Sequence, residues 1–282
     1  MQWTIAVDSS CDDIPNAVFA PNINYCRMPI SVVLGNDEWA EGNGRTQAEF
    51  LEAMKAHKGK SSSACPSMDQ WAQAFGAGDN VIAFTVTGTL SGSYSSAICA
   101  RDLVWETQPA KRIFVLDSLS TGPEVTLLVE KTCKLIAAGL DFDAVTQQLT
   151  AYHKRTHLLF MLQHVDNLVK NGRLSKLLGA TIGVLGIRLL GCASQQGTLE
   201  ILEKLRSPQK CLQFLLDEME RRGYDGGKVV VSHAGNERAA LRLAVAIRER
   251  WRLADCRVVH TAMLCCYYAE DQGILIGFES KA

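Results

Sequence analysis

Two short hydroxyl-rich stretches hold most of the chemistry that this sequence offers. In Ser63-Ala64-Cys65-Pro66-Ser67, Ser67 stands where a helix beginning near Asp69 needs an N-cap, so its hydroxyl is assigned to the backbone. Ser63 lies upstream of Pro66, where the chain is held extended, and its hydroxyl stays available. The second stretch, Thr87-Gly88-Thr89-Leu90-Ser91-Gly92-Ser93, joins a buried apolar run to a helix and has small residues where backbone N–H groups can approach an anion. Helix N-termini favour negative charge, and charge-assisted hydrogen bonds to a carboxylate are stronger than neutral ones. Ser63 with Ser91, Gly92 and Ser93 therefore describes a carboxylate pocket built from two loops. Taken alone, the second loop reads equally as an ordinary capped helix start.

Other chemistries fit less well. A nucleophile elbow needs G-x-S-x-G, and the corresponding stretch runs Gly88-Thr89-Leu90-Ser91-Gly92. No phosphate-binding G-x-x-x-x-G-K-[ST] occurs, and Gly42-Asn43-Gly44-Arg45-Thr46-Gln47 lacks both the third glycine and a preceding strand of a dinucleotide site. The 10 cysteines are scattered, with only Cys265 and Cys266 adjacent, and no Cys/His spacing suggests zinc. They read as small buried hydrophobes, and neither a metal nor a cofactor is expected. Arg173 reads equally as a ligand of helix-end carbonyls or of an anion, and a histidine at a strand end, such as His260 or His233, is ordinarily structural.

Alternating apolar runs must position these groups. Trp3–Val7, Val81–Val86 and Arg112–Leu116 read as strands, Ser91–Val104 and Gly122–Ala138 as helices, and the alternation predicts a parallel sheet. Tyr25–Leu34 is extended and closes a hairpin at Gly35-Asn36-Asp37-Glu38, Thr46 caps a helix through Met54, and Lys58–Ser63 is a polar connector. Asp143–Arg155 reads as a helix before the extended run Thr156–Leu162, which puts a domain junction near residue 157, within about ten residues. Short helices at Val165–Lys170 and Ser175–Leu178 precede a hairpin over Ile187–Glu203 that turns at Gln196-Gly197. Helices Pro208–Arg222 and Asn236–Trp251 then alternate with strands Lys228–Ser232, Cys256–His260 and Ile274–Phe278.

The 282 residues, 47% hydrophobic and 21% charged, supply apolar surface for a two-lobed molecule. With 29 Lys and Arg against 30 Asp and Glu, the net charge of -1 gives no bias toward nucleic acid. The start MQWTIAVDSS has no secretory pattern, and no stretch approaches the ~18 apolar residues of a spanning helix, so a cytoplasmic location is expected.

Asp8-Ser9-Ser10, Ser63-Ala64-Cys65-Pro66-Ser67, Leu90 to Ala97, Asp117-Ser118, Asn171-Gly172-Arg173-Leu174-Ser175 and Ser232-His233-Ala234-Gly235-Asn236 stand in the order of the motifs of the DegV family, which the chain resembles along nearly its whole length. The resemblance implies an α/β, two-lobed fold, with a mainly parallel sheet in an N-terminal lobe, 1–157, and a mixed α/β C-terminal lobe, 158–282. It implies a tunnel between the lobes that holds a long-chain fatty acid, whose carboxylate meets Ser63, Ser91, Gly92, Ser93 and His260. Some members are the fatty-acid-binding subunits of a bacterial fatty acid kinase, so the implied partner is a separate kinase subunit and the chain itself supplies no catalytic residue. Arg173 falls where the family has an arginine associated with phosphorylation by that partner.

Two departures stand out. Ala64 replaces a usual serine, which removes one donor, and Ala262-Met263-Leu264 after His260-Thr261 replaces Gly-Pro-Gly. Side chains in place of glycine predict a bulkier crevice wall, with Met263 narrowing or redirecting the channel. Ile182, Val184, Leu185, Ile187, Leu189 and Leu190 are candidates for its lining. Two alternatives stay open: a serine-dependent hydrolase or acyltransferase that pairs Ser91 or Ser93 with His260, and a lipid sensor or carrier without a kinase.

Overall fold

In the computed structural model, which describes residues 2–176 and 186–281, the first apolar run becomes strand β1 (Trp3–Asp8), buried along its whole length. β2 (Ile23–Met28), β3 (Ser31–Leu34), β4 (Asp37–Trp39), α1 (Gln47–Ala56), β5 (Ser61–Ala64), α2 (Met68–Gly76), β6 (Asn80–Thr85), α3 (Ser93–Thr107), β7 (Arg112–Asp117), α4 (Pro123–Ala137) and α5 (Phe142–His153) follow. The remainder runs β8 (Thr156–Leu162), α6 (Asp166–Lys170), β9 (Arg188–Ala193), β10 (Leu199–Leu205), α7 (Pro208–Arg221), β11 (Lys228–His233), α8 (Glu237–Arg250), β12 (Asp255–His260), α9 (Met263–Ala269) and β13 (Ile274–Glu279). The expected helix to Leu178, and Ile182, Val184 and Leu185, lie outside the described residues.

The fold is α/β, as the resemblance implies. A four-stranded parallel sheet has the order β2-β1-β6-β7, and a six-stranded mixed sheet has the order β10-β9-β8-β13-β11-β12, in which only β11 and β12 run parallel. A small antiparallel sheet, β4-β3-β5, is inserted in sequence between β2 and β6 of the parallel sheet. β1 and β6 read as unbroken apolar runs because helices cover both faces of a parallel sheet. Their side chains alternate accordingly: Ile5, Val7, Ile82 and Phe84 pack on α4 and α5, while Ala6, Val81 and Ala83 pack on α2 and α3.

β8 opens the six-stranded sheet at Thr156, so the two large sheets part close to residue 157, but the packing does not. Val32, Leu34, Trp39, Phe50 and Leu51, all before that point, share a core with Leu158, Phe160, Leu189 and Leu275. α4 belongs to both sides as well. Gly277 of β13 lies so close to it that an added Cβ would stand 2.4 Å from the Pro123 carbonyl carbon. Farther along α4, the buried Glu130 accepts hydrogen bonds from Lys228 of β11, at 2.6 Å, and from Arg257 of β12.

The backbone departs from the sequence expectation in three places. The supposed connector Lys58–Ser63 runs into β5, and the expected single run Tyr25–Leu34 is two strands in different sheets. After His260 the chain forms helix α9, which the resemblance to a glycine-rich segment concealed. Met263, the first residue of α9, is 6% exposed and packs in the core shared with Trp39 and Phe50. Met263→Gly is therefore expected to lower stability by about 2–5 kcal/mol, as other large-to-small core changes do. Urea unfolding of the variant beside the parent chain measures the loss.

Candidate functional site

The parallel strands β1, β6 and β7 all end at the same edge of their sheet, and open α/β sheets bind ligands outside these carboxyl ends. The loops there are held by carboxylates. Asp8, fully buried, accepts from Ser10 Oγ at 2.5 Å, Ser93 Oγ at 2.6 Å and Val86 N at 2.8 Å. Burial raises its pKa above the ordinary carboxylate range despite these donors. Asp117 accepts from Gly88 N at 3.0 Å and Leu119 N at 3.1 Å, and Leu119 has a positive φ of 51°.

The hairpin between β9 and β10 reaches over from the other sheet. Thr87 Oγ1 donates to Gly197 O at 2.8 Å and Thr89 Oγ1 to Gln196 O at 2.7 Å. Only glycine fits at 197, where φ is +74° and a Cβ would fall 2.2 Å from Thr87 Oγ1. Beneath this bridge lies a cavity of about 360 Å³, within the roughly 300–1,000 Å³ usual for small-molecule sites.

The cavity wall is mostly apolar. Leu158, Phe160 and Leu162 point into it from alternate positions of β8, and Leu199, Leu264 and Leu275 extend the surface. Polar groups gather where β5 meets the loop before α3. Ser63, Ser91, Gly92, Arg173 and Tyr268 all line the cavity. Ser63 Oγ is 2.9 Å from Tyr268 Oη, and Ser91 Oγ accepts from Ser93 N at 3.3 Å, which leaves the Ser91 proton free to donate. The Arg173 guanidinium donates to Leu90 O at 3.3 Å and lies 5.9 Å from the Tyr268 ring centre. It forms no ion pair among the described residues. A half-buried cation without a counter-ion among the described residues, two serine hydroxyls and a long apolar wall together suit an amphiphile with an anionic head.

Residues 2–279 match the family model described as "Uncharacterised protein, DegV family". The chain belongs to the DegV family. A DegV domain-containing protein of Streptococcus pneumoniae is 43% identical over 279 residues, 99% of each chain. The S. pneumoniae Fatty Acid Kinase (Fak) B3 protein, crystallised loaded with linoleic acid, superposes with a TM-score of 0.96 at 42% identity over 100% of both chains. A DegV family protein of Eubacterium eligens loaded with heptadecanoic acid gives a TM-score of 0.93 at 34% identity, covering 99% of this chain and 100% of its own.

In this DegV chain the residues expected at the site divide. Ser63, Ser91, Gly92 and Arg173 meet at the cavity, whereas Ser93 and His260 are not among its lining residues. Ser93 is fully buried and gives its proton to Asp8, which makes it a tie between loops. His260 is exposed at the end of β12, with Nδ1 3.1 Å from Gln47 Oε1 and its ring against His233. Ser93 and His260 thus have other partners, and no hydrogen bond joins either Ser91 or Ser93 to His260, so the geometry does not support a hydrolytic pair. Ser67 caps α2 by accepting from Gln70 N. The crevice wall after Thr261 is formed by Leu264, Cys265, Tyr268, Ala269 and Leu275, while Met263, expected to narrow it, turns into the core. Of the apolar lining candidates, Leu189 packs in the core behind the cavity and Leu190 on the opposite face of the sheet, so neither lines it, and nor does Ile187. Among the described residues no group of three or more His, Cys, Asp or Glu is placed to hold a metal, and no helix is long and apolar enough to cross a membrane.

The start of α9 is fixed from the other sheet by Asp12, whose Oδ1 accepts from Ala262 N at 2.7 Å. Asp12 is fully buried, and burial pushes its pKa up to about 7. An unfolded aspartic acid titrates near 3.9, so between about pH 4 and 7 the folded chain binds a proton that the unfolded chain releases. Asp12 therefore lowers stability as pH rises through this window, on the order of 3–4 kcal/mol in all. Asp12→Asn keeps the acceptor for Ala262 and removes the titration. Urea unfolding at pH 4.5 and 7.5 should show a smaller fall in stability for the variant than for the parent chain.

Proposed function

We propose that this chain binds one long-chain fatty acid in the cavity and presents its carboxylate to a separate kinase subunit. The observation that carries the reading is the meeting of Ser63, Ser91 and Arg173, which has no ion pair among the described residues, at one place on an otherwise apolar wall. In this reading the serine hydroxyls and the Gly92 amide donate to the carboxylate, and Arg173 balances its charge and that of the incoming phosphate. The acyl chain lies along Leu158, Phe160 and Leu162. The lobes 1–157 and 158–282 close over the ligand from two sides, and the protein works in the cytoplasm, where the kinase has its nucleotide.

Burying about sixteen carbons contributes on the order of 10 kcal/mol at roughly 0.8 kcal/mol per methylene, before association costs. The head contacts set orientation and separate a free acid from an ester. The chain itself has no nucleotide motif, so the kinase must supply the γ-phosphoryl group. One carboxylate oxygen attacks it, a P–O bond forms, and ADP leaves with an acyl phosphate as product. The solved relatives that hold linoleic and heptadecanoic acids support the ligand class, and the likeness to the Fatty Acid Kinase (Fak) B3 protein supports the partner.

Protein purified without added lipid is expected to release about one fatty acid per chain on denaturing extraction, as read by mass spectrometry. The loaded protein, mixed with a fatty acid kinase subunit and ATP, should yield acyl phosphate. Repeated absence of any acyl ligand, together with no binding of added acids, would defeat the carrier reading, and binding without phosphorylation would defeat the kinase reading alone. Ser63→Ala with Ser91→Ala should weaken acid binding by about 1–3 kcal/mol in a folded protein, because a buried carboxylate loses its donors. Equilibrium competition with a fluorescent acid measures this.

A further inference from the structure

Two consecutive tyrosines of α9 meet two alternate serines of β5, and the pairs are not equivalent. Tyr267 Oη lies 2.7 Å from Ser61 Oγ, to which it donates, and accepts from Asn171 Nδ2 at 2.9 Å, so its hydrogen bonds are complete within the protein. Tyr268 Oη lies 2.9 Å from Ser63 Oγ, and this pair alone borders the cavity. Each hydroxyl has one proton. A phenol, with a pKa near 10, is a far stronger acid than an alkanol, so the favoured arrangement has Tyr268 donating and Ser63 accepting. The Ser63 proton, which has no other acceptor among the described residues, is then free to point at a group in the cavity. Hydrogen bonds in series strengthen one another, so Ser63 becomes a better donor to an anion than a lone serine. The neighbouring Ala64 has no hydroxyl, which leaves Ser63 as the donor that β5 offers the cavity.

We infer that Tyr268 is a positioning residue for the ligand head: its phenol donates to Ser63 and directs the Ser63 proton to a bound carboxylate. This rests on the carrier reading above and adds to it a tyrosine–serine–carboxylate relay. The Tyr268 ring also forms part of the wall, so the test must separate hydroxyl from bulk. Tyr268→Phe keeps the ring and removes only the oxygen. Its affinity for palmitic acid should fall about three- to tenfold, while affinity for methyl palmitate, whose neutral head gains little from a polarised donor, should stay within a factor of two. In a Ser63→Ala background the same change should cost nothing further, since the relay has already been cut.

Equal losses for acid and ester would assign Tyr268 to the wall alone, and full acid affinity in Tyr268→Phe would remove it from the site. Independent, multiplying losses in the double variant would make Tyr268 a direct donor instead of a relay. Each of these outcomes overturns the inference while leaving the carrier reading intact. A parent chain that binds neither palmitic acid nor any other acid overturns both, so the two failures are distinguishable.

Discussion

The cavity depends on the buried carboxylate of Asp8. A charge or acid proton without water demands donors, and the chain satisfies it from three separate segments: its own loop through Ser10, the end of β6 through Val86, and the start of α3 through Ser93. Meeting that demand draws the loops at the carboxyl ends of β1 and β6 toward one point and fixes where α3 begins. Ser91 and Gly92, two residues and one residue before Ser93, are placed at the cavity as a consequence. A residue that does not line the cavity thereby decides where two of its polar groups stand.

The second sheet closes the site through contacts that are individually modest but lie on different elements. The β9–β10 turn docks on Thr87 and Thr89, α9 is pinned at Ala262 by Asp12 and approached by Ser10 through Cys265, and α4 spans both sheets through Glu130 and the close approach of Gly277. Glu130 is almost fully buried and bound by two cations, a geometry in which losing one partner costs far more than the pair itself contributes. These contacts restrict the sheets from sliding independently. The cavity therefore has walls from both sheets with a defined spacing, as selection by shape requires.

Much of the scaffold was legible because its elements obey simple periodicities. β1, β6 and β7 are mostly apolar runs, and α4 after β7 opens with a proline in its first turn, so the parallel sheet follows from pattern alone. Ser63 and Ser91 were legible as hydroxyls beside helix starts, and Arg173 from its place in a motif. β5 was not, because Ser61-Ser62-Ser63-Ala64 has neither apolar alternation nor β-branched residues and is a strand only through pairing with β3. α9 was missed since Met263–Ala269 is buried nearly all round and presents no amphipathic period. Ser93 and His260 look as reactive in sequence as Ser91. Their partners, Asp8 and Gln47, are 85 and 213 residues away, and nothing local announces them.

The type of head group contact also bears on what such a protein can do with its ligand. A carboxylate clamped bidentately by a fully buried arginine would have both oxygens occupied and would be costly to release. In the proposed reading the donors would be neutral hydroxyls and an amide, with one half-buried guanidinium that also binds the Leu90 and Asn171 carbonyls. Neutral donors hold an anion with modest strength and leave acceptor lone pairs on its oxygens unused. In that reading affinity would come from the apolar wall, which is indifferent to the state of the head, and the head itself would stay exchangeable. A ligand anchored by its tail and only oriented by its carboxylate can react at that carboxylate without first losing most of its binding energy. Such a division, if the proposed function holds, would suit a carrier whose cargo is modified by another protein better than an enzyme that must grip its reacting atoms.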